Sequence, residues 1–200
     1  MLSNLKTLCK NCTLCPLGKS QVTVNGKTFD SHVLSNMRPS KYVIIGQNPG
    51  SNECIQDEPF VGQAGQTFNA EIEKHDLKRD MFYITNILHC YTDNNRAPTP
   101  TELAACRPLV QMELMHLKPR LVITLGKFAF QALCPGADYA ASLGTIVKSD
   151  FISTKELSVF PIFHPSGMNL SVKERKDKFE KHIALMCKLI SHWETNGYSN

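Results

Sequence analysis

Four short apolar runs, rich in β-branched residues, punctuate the chain: Tyr42-Val43-Ile44-Ile45-Gly46, Met81 to Leu88, Leu121-Val122-Ile123-Thr124-Leu125-Gly126 and Val159 to Phe163. Runs of this length and composition, closed by glycine or polar residues, predict buried strands. Between them the apolar spacing changes. Ala64 to His75 sets Phe68 and Ile72 on one helical face, and Phe128 to Leu133 predicts a short helix. Phe179, Ile183, Met186, Ile190 and Trp193 recur at 4-3-4-3 steps, one face of a long helix. Thr99-Pro100-Thr101-Glu102 has the form of a capping box with proline at the first helical position. The helix it starts carries Leu103, Cys106, Leu114 and Leu117, with Pro108 an expected kink.

Elsewhere the pattern is weak. Residues 1–20 lack periodicity, 21–40 read as loop with at most a short extended piece, and Gln47 to Phe60 reads as a loop after a strand. No internal repeat, low-complexity tract or linker breaks the chain, so the expectation is one domain over residues 1–200. Strands alternating with helices predict an α/β fold, a three-layer sandwich around a central four-stranded, mostly parallel sheet. Three strands end in residues with chemical potential: Gly46-Gln47-Asn48, Thr85-Asn86 and His164. In open α/β sheets ligands bind outside the carboxyl ends of the strands, so these clusters are expected to converge.

Composition narrows the classes. With 42% apolar and 20% charged residues in 200, the chain suits a packed globular protein and not a disordered one. A chain of this size buries enough surface to hold a core without staples. The apolar stretch from Leu121 to Cys134 is broken by Gly126 and Lys127 and is too short to span a bilayer. The opening residues lack the apolar core of an export signal, so a cytoplasmic location is expected. A net charge of +4 permits nucleic-acid binding without demonstrating it. Eight cysteines in a chain without an export signal point toward metal or catalysis rather than disulfides.

Cys12 and Cys15 form a C-x-x-C, and Cys90 and Cys106 flank the loop carrying Asn95, Arg96 and Pro98. Four thiolates suit an iron–sulfur cluster or zinc, and the wide second pair leans toward iron–sulfur. Cys9 is a candidate substitute ligand; Cys54, Cys134 and Cys187 suit buried apolar thiols. In the Gly46–Glu53 loop, Pro49 and Gly50 fix a turn that presents amides to the cleft. Glu53 is either a base there or a solvated loop carboxylate. Phe60, outside any periodic pattern, is either core or a stacking face for a base. Asn86 sits late in an apolar strand, where a buried amide needs partners or serves as a cap. His164 is structural, or it donates to an oxygen that gains charge in a transition state.

With these motifs in order, the chain resembles the uracil-DNA glycosylases, and most of all their iron–sulfur, thermophile-type family four. The resemblance rests on Cys12-Thr13-Leu14-Cys15-Pro16-Leu17, Gly46-Gln47-Asn48-Pro49-Gly50, Pro59-Phe60-Val61-Gly62-Gln63-Ala64-Gly65 and Thr85-Asn86-Ile87-Leu88-His89-Cys90. Asn95-Arg96-Ala97-Pro98-Thr99, Glu102 with Cys106, and His164-Pro165-Ser166 complete it. Two positions depart from the family pattern. Gln47 replaces its glutamate, and Gly-x-Asn-Pro-Gly with Asn48 is similar to the mismatch-specific branch, whose Asn positions the water. Glu53 still matches the family's later loop carboxylate.

The resemblance implies a DNA-repair hydrolase that extrudes uracil from DNA, single- or double-stranded, and cuts its glycosidic bond. Phe60 would stack on the base. Asn86 would read its edge, since its amide offers a donor beside an acceptor, as O4 and N3–H of uracil require. Gln47 would contact the pyrimidine, His164 would stabilise the leaving uracil anion through O2, and Glu53 or Asn48 would hold the water. Ser166 would press on the DNA backbone, Met168 would fill the vacated stack, and Leu170 is a second candidate wedge. Cys12, Cys15, Cys90 and Cys106 would bind a [4Fe–4S] cluster that ties the arm of residues 1–20 to the Cys90–Cys106 loop. Gly50 offers no side chain against a 5-methyl group, which leaves mismatched thymine conceivable as a substrate. A monomer without membrane attachment is expected. The rival readings are a DNA-binding or uracil-sensing protein of weak or no catalysis, which Gln47 and Asn48 motivate, and a zinc-ribbon-like interaction module.

Overall fold

The computed structural model describes residues 2–196. In chain order the elements are α1 (Leu2–Lys10), β1 (Gln21–Val24), β2 (Lys27–Asp30), β3 (Tyr42–Gly46), α2 (Ser51–Gln56), α3 (Gln63–Glu73), β4 (Phe82–Asn86), α4 (Pro100–Leu117), β5 (Leu121–Leu125), α5 (Lys127–Leu133), α6 (Tyr139–Ser142), β6 (Val147–Ser149), β7 (Leu157–Ile162), α7 (Gly167–Leu170) and α8 (Lys173–Asn196). The main sheet runs β4-β3-β5-β7-β6. Its first four strands are parallel, and β6 pairs antiparallel with β7 at one edge. The architecture is the expected α/β sandwich with five strands in place of four. The added strand has three residues, too few to leave an apolar pattern.

Every residue of β3, β4 and β5 is buried, because helices cover both faces of a parallel sheet. Strand alternation then divides the side chains between two cores. Val43, Ile45, Tyr83, Val122 and Val159 pack on one side with Leu2 and Leu5 of α1, Leu109 and Leu114 of α4, and Phe130 of α5. Ile44, Phe82, Ile84, Ile123 and Phe160 face the other side against Phe68 and Ile72 of α3. Phe179, Ile183, Met186 and Ile190 of α8 join this second core, as their spacing predicts.

Three segments expected to be irregular are ordered. Residues 21–40 contain the β1–β2 hairpin, closed by Asn25-Gly26 with φ of 49° and 75°. An Asn-Gly turn between two short extended runs is the hairpin signal here. The N-terminal arm opens with α1, whose buried Leu2, Leu5 and Cys9 follow helical spacing. The loop after β3 contains α2, begun at Gly50. The α4 cap forms as expected: Thr99 accepts from the Glu102 backbone N–H, Glu102 accepts from Thr99 N–H, and the helix continues through Pro108 to Leu117. No helix among the described residues is long and apolar enough to cross a membrane.

Candidate active site and thiol pocket

The parallel register sets Gly46, the last residue of β3, directly beside Asn86, the last of β4. A Cβ on Gly46 would collide with the Phe60 ring and lie 2.6 Å from Asn86 Oδ1. Glycine is therefore what lets an aromatic face and a carboxamide meet at the strand ends. Asn86 is 1% exposed, and neither Oδ1 nor Nδ2 has a hydrogen-bond partner in the protein. Buried amides are nearly always satisfied, and each unpaired group costs about 1–3 kcal/mol. A donor and an acceptor are thus left open side by side at the strand ends.

Phe60 is buried, with φ of 54°, a left-handed conformation that strains a bulky residue by about 1–3 kcal/mol. Three contacts hold it there. Arg79 donates to the Phe60 carbonyl at 3.0 Å and the Pro59 carbonyl at 2.6 Å, and pairs with Glu58 at 3.0 Å. Gly65 has no Cβ, which allows the Phe60 carbonyl to lie against α3. Arg79 carries no motif, so nothing in the sequence singled it out.

His164 follows β7, its ring centroid 6.1 Å from that of Phe60. Gly126, at φ 91°, closes β5 with its would-be Cβ position only 3.1 Å from His164 Cβ. Part of His164 still reaches solvent, but its ring is largely desolvated in the cleft. Burial pushes its pKa down to about 4, against a smaller opposing pull from the Glu53 charge. The imidazole is therefore neutral at neutral pH, and can donate one N–H without carrying a charge.

Glu53 is buried, not solvated. It occupies the third position of α2, where its Oε2 accepts from Gly50 N–H at 3.0 Å. Its Oε1 accepts from Val61 N–H at 2.9 Å and Gly62 N–H at 2.7 Å. The carboxylate thus ties the β3–α2 turn to the Phe60 loop. A Cβ on Gly50 would lie 2.6 Å from Glu53 Oε2, a reason for glycine there that sequence reading missed. A carboxylate has about four acceptor sites, and three are filled. Oε2 keeps one free.

Gln47 and Asn48 form the rim. Gln47 Nε2 donates to Asn48 Oδ1 at 2.8 Å and to the Arg96 carbonyl at 3.1 Å. Asn48 Nδ2 donates to the Pro49 carbonyl at 2.9 Å and Asn95 Oδ1 at 3.3 Å. The Asn95–Arg96 segment is fixed in turn by a two-pronged Arg96–Glu102 pair at 2.9 and 2.5 Å. The Arg96 hydrogen bonds pull the Glu102 pKa down to about 2 against the effect of burial. Ser166 caps α7, which presents Met168 with 85% of its surface exposed. Leu170, partly buried, packs against the α8-side core.

The thiols converge elsewhere. Cys12, Cys15, Cys90 and Cys106 line one apolar cavity together with Cys9, His32 and His89. All eight cysteines are free, while Cys54, Cys134 and Cys187 lie buried outside this cavity. Burial pushes the Cys90 thiol up, and its neighbours Cys106, Cys9, Cys15 and Cys12 push it further, since adjacent thiolates repel. A bound cation would relieve that repulsion and deprotonate the sulfurs. Among the described residues, no group of three or more His, Cys, Asp or Glu side chains is arranged to hold a metal ion. A tetrahedral zinc needs sulfurs about 2.3 Å from one ion, whereas a multi-iron cluster spreads its ligands wider. Four thiols on one apolar wall are the donor chemistry that an iron–sulfur cluster takes. Cys106 Sγ already accepts from His89 N–H at 3.4 Å, and His89 Nδ1 lies 3.5 Å from it.

The model of the uracil DNA glycosylase superfamily matches residues 34–186. The chain belongs to that family. It is 30% identical to a type-4 uracil-DNA glycosylase of Archaeoglobus fulgidus over 74% of this chain and 77% of the relative. A type-4 enzyme of Thermotoga maritima is also 30% identical, over 78% and 77%. One from Pyrobaculum aerophilum is 29% identical over 92% of both chains. The matched span covers the Gly46–Glu53 loop, Phe60, Asn86, His164, Cys90 and Cys106, and begins after Cys12 and Cys15.

Proposed function

We propose that this enzyme hydrolyses the N-glycosidic bond of uracil in DNA at the cleft between Gly46, Phe60, Asn86 and His164, leaving an abasic site. The observation that carries the reading is the open carboxamide of Asn86, buried with both polar atoms unpaired beside Gly46. Asn86 Nδ2 donates to uracil O4 and Oδ1 accepts from N3–H. Cytosine presents the reverse pattern, so its pairing would leave two buried groups mismatched.

The reaction follows from the neighbours. The base leaves the stack at a cost of a few kcal/mol and lies on the Phe60 ring. Met168 fills the gap, and Ser166 meets the phosphate backbone. Gln47 contacts the pyrimidine from the rim. As the C1′–N1 bond breaks, its electron pair passes to the base and the sugar takes on oxocarbenium character. Neutral His164 donates an N–H to O2, where the uracil charge gathers. Water, held at the free site of Glu53 Oε2 with Asn48 assisting, adds to C1′ and gives its proton to the carboxylate.

Cys12, Cys15, Cys90 and Cys106 would hold an iron–sulfur cluster of the [4Fe–4S] type, fastening the arm of residues 1–20 to the Cys90–Cys106 loop. Glycosidic hydrolysis needs no redox step, so the cluster serves the fold. Purified without air, the protein is expected to be brown, to release uracil from a uracil-containing oligonucleotide and to leave a matched cytosine oligonucleotide intact. Binding to uracil DNA without release of the base would establish the sensing alternative instead. Cys90→Ser is expected to lose the broad visible absorbance, and full iron content in that variant would refute the ligand set.

A further inference from the structure

The Phe60 ring presents its face in the cleft while its own backbone sits in a left-handed conformation, at φ 54°. A bulky residue leaves that region unless the surrounding structure holds it there. The hold has two halves. On the far side of Phe60, Glu53 Oε1 accepts from the Val61 and Gly62 N–H groups. On the near side, Arg79 Nη1 donates to the Phe60 carbonyl at 3.0 Å, and Nη2 donates to the Pro59 carbonyl at 2.6 Å and to Glu58 Oε1 at 3.0 Å. One rigid, planar fork thus fixes two successive carbonyls, a task to which the point charge of a lysine is poorly matched. Arg79 opens the single turn Arg79–Met81 that leads into β4, and Asn86 closes β4. The stacking face and the reading edge are therefore both hung from one strand. The charge of Arg79 is met by Glu58, and three of its five N–H groups are engaged within the protein. That leaves it a poor partner for a DNA phosphate and a good clamp for the Phe60 loop.

We propose that Arg79 is a positioning residue for base binding: by clamping the Pro59 and Phe60 carbonyls it holds the Phe60 ring at the angle a base needs when Asn86 meets its edge. The inference rests on the uracil reading above, in which Phe60 stacks on the extruded base. Arg79 touches neither the base nor the DNA and acts through Phe60. Without the fork, Phe60 relaxes toward ordinary negative φ, and its ring turns away from the strand ends of Gly46 and Asn86. The ring lies against the base both before and during bond cleavage. Its misplacement therefore weakens binding of the substrate more than it slows the chemical step.

The test uses the whole chain purified without air and measures single-turnover uracil release against the concentration of a uracil-containing oligonucleotide. In Arg79→Ala the half-saturating concentration is expected to rise about tenfold, part of the worth of one base–aromatic stack, with a smaller change in the maximal rate. Arg79→Lys is expected to fall between Arg79→Ala and the parent protein. In a Phe60→Ala background, Arg79→Ala should cost little further, because the ring it positions is gone. Binding to a uracil-free oligonucleotide should not change. An unchanged half-saturating concentration in Arg79→Ala would overturn the proposal. Equal losses from Arg79→Ala in the parent and Phe60→Ala backgrounds would overturn it too, by showing an effect that does not pass through the ring. So would weaker binding of uracil-free DNA, which would make Arg79 a DNA contact. Should Arg79→Ala not fold, Arg79→Lys carries the same cycle. No uracil release by the parent protein, or full release by Phe60→Ala alone, would refute the stacking reading itself and this proposal with it.

Discussion

Gly46 and Asn86 face each other across the parallel pair β3 and β4, and the Asn86 carboxamide with the Phe60 ring fills the space a side chain at position 46 would need. Gly46→Ala must therefore push the stacking ring, the reading amide or both. A displacement of about 1 Å at such a site costs on the order of 10²-fold in rate. Single-turnover uracil release is expected to fall by about that much, while a thermal melt shows a modest loss. Full activity in this variant would mean the cleft is not formed by these three residues.

Asn86 is open to a gain in stability at the expense of function. Its two unpaired atoms are buried in the native state, and replacing a buried polar group by an apolar one of similar shape is close to neutral or stabilising. Asn86→Leu is expected to melt at or above the parent temperature and to lose uracil excision. Asn86→Asp is expected to relax or invert the choice toward cytosine, since a carboxylic acid can exchange donor for acceptor. Competition between uracil and cytosine oligonucleotides measures that choice. Unchanged uracil turnover in Asn86→Ala would remove Asn86 as the reader.

His164 links stability to pH. Its pKa in the folded protein is about 4, against about 6.5 for an unperturbed histidine. Between those values the unfolded chain binds a proton that the native protein does not. The contribution is fully present above about 6.5 and is lost as pH falls toward about 4. Melts across that window are expected to show a slope that His164→Asn flattens. An equal slope in both proteins would mean that the ring is not desolvated in the cleft.

How much of this was legible in the sequence depends on whether a feature is local. The strands, the α8 face and the Thr99–Glu102 cap rest on short-range periodicity and turn chemistry, and the structure bears them out. The convergence of Gly46, Asn86 and His164 followed from strand ends in a parallel sheet. The β1–β2 hairpin and α1 carry signals, in Asn25-Gly26 and in Leu2, Leu5 and Cys9, but strands of four residues and a helix of nine are too short for a strong period. β6 has too few residues for any pattern. Arg79 acts by reaching from the start of β4 to the Phe60 loop, and no spacing along the chain encodes that reach.

The water is the last question, and Glu53 and Asn48 compete for it. Asn48 has its carbonyl oxygen taken by Gln47 and its amide shared between Pro49 and Asn95, so its remaining capacity is small and faces the rim. Glu53 has three backbone N–H donors but retains one acceptor site on Oε2, and it is close enough to His164 for its charge to act on that ring. A carboxylate can also take the proton of the attacking water, which an amide cannot. Glu53→Gln is therefore expected to cost on the order of 10²–10⁴ in single-turnover rate, the range of general acid–base help. Part of that loss is structural, because one amide NH2 would confront a backbone N–H that now meets an oxygen. Glu53→Asp separates the two effects: it keeps the base but shortens the reach to Gly62, so it should disturb the Phe60 loop and substrate binding more than the step itself. Asn48→Ala is expected to cost much less than Glu53→Gln. The reverse order would assign the water to Asn48, and near-parent rates in both Glu53→Gln and Asn48→Ala would show that neither residue holds it.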